Sequence, residues 1–186
     1  MMSLFPRNAY TAAITAFLAS VAFQAAADQA SDILPKPVEV LIRSDTECTD
    51  FDARHLKQAR NRATVGKTQT LYLVPCYAGA YNVIFRVYVL DTRYPDALRE
   101  SLFAGYSDET GWYGTNALIN AAYDPKTKIL SAFEKGRGLG DCGSIPSFQW
   151  TGYNWRMVEY RYWGKCDGSR MPEQWPVLFR FKPTKK

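Results

Sequence analysis

The chain has 186 residues, a formal net charge of +5 and 15% aromatic residues. That length suffices for one domain with its own hydrophobic core, so cysteines supplement the core and do not replace it. The modest basic balance suits anionic surfaces, and the lack of a basic tract interleaved with aromatics in a reader motif excludes nucleic acid as the partner.

The first 27 residues read as an export signal. Arg7 supplies a positive start, Ala9 to Phe23 a short apolar run, and Ala25-Ala26-Ala27 the small residues for cleavage after Ala27. The run is too short for a membrane span, so no transmembrane segment is expected after processing. The mature chain then begins at Asp28 in the periplasm or outside the cell. Residues 28–37, with Pro35 and Pro37, read as a linker, residues 38–182 as a single globular domain and residues 183–186 as a tail.

Val38 to Ile42 reads as a first short strand. Thr49-Asp50-Phe51-Asp52 offers oxygens for a helix entrance, and Leu56, Ala59 and Ala63 recur at helical spacing up to Gly66. Leu71 to Cys76 and Tyr81 to Leu90 flank Tyr77-Ala78-Gly79-Ala80 as a hairpin, with Pro75 marking an edge or a bulge. Val83 to Leu90 is apolar on both faces except at Arg86 and is expected to be central. Asp91 to Gly114 reads as irregular, with a short helix over Pro95 to Ser101. Asp124-Pro125-Lys126-Thr127 turns a second hairpin between Ala117 to Tyr123 and Lys128 to Glu134. Gly152-Tyr153-Asn154 turns a third between Phe148 to Thr151 and Trp155 to Trp163, and Trp175 to Phe181 closes the sheet. These elements predict an α+β fold, a predominantly antiparallel β-sheet with one early helix.

Four cysteines permit three pairings. We pair Cys48 with Cys76 and Cys142 with Cys166, because each bridge links neighbouring segments. A structural zinc site would need closely spaced pairs, which are missing, so no metal is expected.

Several segments form a set in consistent order: Leu71-Tyr72-Leu73-Val74-Pro75-Cys76, Gly79-Ala80-Tyr81-Asn82, Phe133-Glu134-Lys135-Gly136-Arg137-Gly138-Leu139-Gly140-Asp141-Cys142-Gly143-Ser144, Trp150-x-Gly152, Cys166-Asp167-Gly168 and Trp175-Pro176. Together they resemble the exported bacterial family known as domain of unknown function 1176, and the G-R-G-x-G-D-C-G run is the specific one. The resemblance spans residues 34–180 and implies the family's C-terminal module alone. Thr151 stands where the family's hairpin often has Asp. The family brings no established activity, so the resemblance speaks for export and fold, not for function.

Gly138-x-Gly140-x-x-Gly143 matches a dinucleotide fingerprint as a string, but Pro146 and a β-rich segment follow where a helix is required, so no cofactor is expected. The glycine loop can instead cradle an anion, with Arg137 as anchor. His55 is the sole histidine and has no nucleophile motif near it. With the cysteines paired, no catalytic residues are assigned. Asp124, Asp141 and Asp167 lack the dense spacing of a calcium loop. Trp150, Tyr153, Trp155, Tyr160, Tyr162 and Trp163 form an aromatic hairpin that serves either the core or a binding face.

The resulting expectation is a non-enzymatic envelope module that binds or inhibits a protein, a glycan or another anionic ligand. Its contacts are Arg137, Gly138, Gly140, Asp141, Trp150, Tyr153 and Trp163. The alternatives are an envelope hydrolase acting on peptidoglycan or glycan through Glu134 and Asp141, and a structural envelope protein.

Overall fold

A computed structural model describes residues 34–48, 62–94, 96 and 98–182. Its first element is a helix, α1, at Lys36–Ser44. Pro37 in the first turn presets the backbone, and Glu39 and Arg43 sit at the ends the helix dipole favours, joined by a 2.9 Å bond from Arg43 Nε. Val38 to Ile42 is therefore helical and not the expected strand. The β-branched residues concealed the deciding signal, which is the four-residue spacing of Val38 and Ile42, both fully buried. They pack against Cys48, Val74, Cys76 and Tyr88.

Thirteen strands are found among the described residues. β1 (Arg62–Thr64), β2 (Gln69–Ala78), β3 (Val83–Asp91) and β4 (Arg99–Glu100) form one antiparallel sheet in that order. Most of the helix expected from Thr49 lies outside the described residues, but its end is corrected: Arg62 pairs with Tyr72 and Thr64 with Thr70 in a strand ladder. The β2–β3 hairpin forms as expected, with a register shift after Pro75 where the missing N–H interrupts the ladder. β3 is central. The expected helix over Pro95 to Ser101 is likewise corrected at Arg99 and Glu100, which pair with Val89 and Tyr88.

The stretch taken as irregular contains a two-stranded ribbon, β5 (Phe103–Ser107) with β6 (Gly111–Thr115). Its turn is closed by the Thr110 N–H donating to Ser107 Oγ at 3.1 Å, and Gly111 takes a φ of +71°. β7 (Ala117–Ile119) then joins β3 in the first sheet. At Asn120 the backbone turns left-handed (φ 49°), and the chain crosses to the second sheet. The Asn120 side chain secures that crossing, accepting from Val83 N–H and donating to the Phe133 carbonyl, each at 2.9 Å.

The second sheet holds β8 (Ala122–Asp124), β9 (Ile129–Ser131), β10 (Glu134–Lys135), β11 (Gly143–Trp150), β12 (Trp155–Trp163) and β13 (Val177–Arg180). Its order is β13-β12-β11-β9-β8, with β10 also pairing with β11. The Asp124 carboxylate closes the β8–β9 turn, accepting from Lys126 N–H at 2.9 Å and Thr127 Oγ1 at 2.8 Å. The core combines Leu71, Leu73, Val87 and Val89 of the first sheet with Leu130, Phe148 and Trp150 of the second. The two expected disulfides, Cys48–Cys76 and Cys142–Cys166, are present. Cys48 and Cys76, which lie beside Asp45, are thus bonded to each other and offer no thiolates to a metal. No helix among the described residues is long and apolar enough to cross a membrane.

Candidate functional site

The glycine loop connects β10 to β11, and its composition follows from its geometry. The Arg137 guanidinium donates to both oxygens of Asp141, at 2.8 Å and 2.6 Å, and the Gly168 N–H adds a third bond at 2.7 Å. The bonds from Arg137 pull the Asp141 carboxyl down to about 2. A side chain on Gly136 would meet Cys142 Sγ at 2.8 Å, and one on Gly143 would collide with the Glu134 carbonyl. Gly140 and Gly143 hold φ values of +67° and +134°, which a side chain resists. The run is thus a staple around a disulfide, and it leads into strand β11, where a dinucleotide site needs a helix. Arg137 spends its Nε and one Nη2 hydrogen on Asp141, and its side chain stays 42% exposed.

Trp163 sits beside this loop. It pairs in register with Gly143, which pairs on its other side with Lys135. Arg170 lies over the Trp163 ring at 4.2 Å and Lys165 at 5.7 Å.

Trp150 and Tyr153 lie at the opposite end of the β11–β12 hairpin. Seven steps of strand separate Gly143 from Trp150, which is roughly 23 Å. The structure therefore does not bring the seven expected contacts into one surface. Arg137, Gly138, Gly140, Asp141 and Trp163 share the loop end. Trp150 is a core residue that packs its ring 5.0 Å from Trp155. Tyr153, at the tip, is 68% exposed, and the Arg99 guanidinium stacks on its ring at 4.5 Å.

Beside Tyr153 opens a cleft of about 330 Å³ lined by Arg99, Ser101, Leu102, Trp150, Asn154 and Trp155. The Trp155 indole donates to Ser101 Oγ at 3.2 Å, fixing the cleft wall, while Leu102 is 74% exposed. Sequence reasoning missed Arg99 and Leu102, because Arg99 was read as helical and nothing local marks Leu102 as exposed.

The two carboxylates proposed for hydrolysis point to different partners. Glu134 accepts from Ser144 Oγ at 3.0 Å and lines a separate cavity, whereas Asp141 is held by Arg137 and Gly168. Asp124 and Asp167 each close their own turn and do not converge. His55 lies outside the described residues.

Comparison with known proteins adds family but no activity. The chain is 32% identical over 127 residues to the uncharacterized protein YpfG of Escherichia coli (strain K12), an alignment covering 67% of this chain and 36% of that protein. The chain thus spans little more than a third of the length of that relative. No solved structure matches. The model of the family described as "Protein of unknown function (DUF1176)" matches residues 7–182, and the chain belongs to that family.

Proposed function

We propose that this protein is an exported, non-enzymatic binding module of the bacterial envelope, and that the cleft at the tip of the β11–β12 hairpin takes a glycan. The observation that carries this reading is the Tyr153 ring, exposed at the cleft mouth and backed by the Arg99 guanidinium. A saccharide presents C–H faces that pack on an aromatic ring and hydroxyls that need fixed donors and acceptors. Arg99, Ser101 and Asn154 supply these around the same cleft. Support for export comes from the leader-like first 27 residues and from two disulfides, which persist in oxidising compartments. A glycosidase would need two facing carboxylates, and Asp141 is already neutralised by Arg137.

The test is binding of the oxidised protein to purified peptidoglycan, lipopolysaccharide and an array of defined glycans. Tyr153→Ala with Arg99→Ala is compared with Arg137→Ala with Trp163→Ala. Loss of glycan binding in the first pair alone supports the tip cleft. Loss in the second pair alone moves the surface to the glycine loop, and binding of no glycan by the unaltered protein overturns the reading.

A further inference from the structure

A second cavity, of about 220 Å³, lies where the β5–β6 ribbon meets the second sheet, and it is independent of the tip cleft. Its polar groups are Glu134, Ser144, Tyr113 and Tyr160, and small side chains such as Ala104 and Ala132 form apolar wall. The polar groups are tightly organised. Tyr106 N–H donates to the Tyr160 hydroxyl at 3.0 Å, and the Ser144 hydroxyl donates to Glu134 Oε2 at 3.0 Å. Trp112 stacks edge-on against the Tyr160 ring at 4.9 Å and holds the ribbon over the site.

Glu134 stands apart in its charge pairing. Among the described residues every other buried or half-buried carboxylate has a cation: Glu39 has Lys36 and Arg43, Asp45 has Arg86, Asp91 has Arg93, Asp141 has Arg137, and Glu159 has Arg161 and Arg180. Among the described residues, half-buried Glu134 has only the Ser144 hydroxyl, and the ammonium of neighbouring Lys135 lies over the Phe133 ring instead. A carboxylate removed from water costs free energy unless a cation or several donors face it. Burial and the Glu134 charge push the Tyr113 phenol up, so it faces the carboxylate as a neutral group. The cavity is smaller than the roughly 300 Å³ typical of sites for whole drug-sized ligands, so it fits a headgroup.

We propose that this cavity binds a primary ammonium group on a short apolar stem, with Glu134 as its counter-ion. The carboxylate takes the charge and N–H bonds, the phenols complete the polar ring, and the small apolar residues receive the stem.

The experiment is calorimetric titration of the oxidised protein with n-butylammonium chloride, beside 1-butanol and tetramethylammonium chloride. Saturable binding of butylammonium, at least tenfold tighter than either control, is the expected result. Glu134→Gln, which keeps an acceptor for Ser144, weakens it at least tenfold. Ala104→Leu, on the half-buried ribbon, narrows the cavity without touching the carboxylate and weakens it as well; it serves as the test where Glu134→Gln fails to give the native near-ultraviolet dichroism. An Nα-acetyl-lysine amide that binds as well as butylammonium identifies a lysine side chain as the source of the headgroup, and binding of butylammonium alone identifies a free amine. Absence of saturable butylammonium binding, equal binding of 1-butanol, or unchanged affinity in a folded Glu134→Gln overturns the proposal. None of these results bears on glycan binding at the tip.

Discussion

Arg137 grips Asp141 through both carboxylate oxygens four residues further along the chain, and the same carboxylate reaches across to the Gly168 N–H. Two distant segments, the glycine run and Cys166-Asp167-Gly168, are thus joined twice, once by sulfur and once by a charge-assisted network.

The Asp141 network gives an acid-dependent stability. Its folded carboxyl titrates at about 2, below its ordinary 3.8, so its contribution is full above the ordinary value and is lost as pH falls through the folded one. Asp141→Asn is expected to melt several degrees below the unaltered protein at about pH 6, with the gap narrowing between about pH 4 and pH 2. Thermal melts across that range check this, and a gap that stays constant would show that the charge is not its source.

Glycines in one short run should differ sharply in tolerance. Gly143→Ala places a methyl against the Glu134 carbonyl at a φ of +134° and is expected to cost more than about 3 kcal/mol. Gly138→Ala meets only Tyr81 Cδ1, at 3.7 Å, and should stay within about 0.5 kcal/mol. Urea unfolding of the two variants measures the difference.

Arg86 is 1% exposed and binds Asp45 at 2.7 Å and Glu47 at 2.5 Å, yet the two bonds are unequal in worth. Glu47 is 77% exposed, so Glu47→Ala is expected to cost about 0.5 kcal/mol or less. Asp45→Ala leaves a buried guanidinium with its inner partner gone and should cost roughly 3 kcal/mol or more. Equal losses in denaturant melts would contradict this division.

Turn chemistry and cysteine spacing made much of the fold legible. Asp124-Pro125 and Gly152-Tyr153-Asn154 announced two hairpins, and both disulfides followed from segment neighbourhood. The β5–β6 ribbon escaped notice because Gly105, Gly111 and Gly114 read as punctuation, although Gly105 lies under the Tyr113 ring and needs its missing side chain. In the site, Trp150 and Trp163 read as one aromatic surface because both belong to the third hairpin. Strand length alone sends them to opposite ends. Alternation along β11, which buries Ser144, Pro146, Phe148 and Trp150, turns Trp150 to the core side. That Glu134 has no cation beside it among the described residues could not be read at all, since it depends on which cations fold elsewhere.

The Cys142–Cys166 bridge encloses the whole β11–β12 hairpin, whose tip at Gly152-Tyr153-Asn154 is exposed. A protease that cuts there severs the backbone but releases nothing, because eight cross-strand residue pairs and one sulfur bond still hold the pieces. Nicked and intact protein would migrate together until a reductant is added, so a single cut at the tip does not dismantle the molecule.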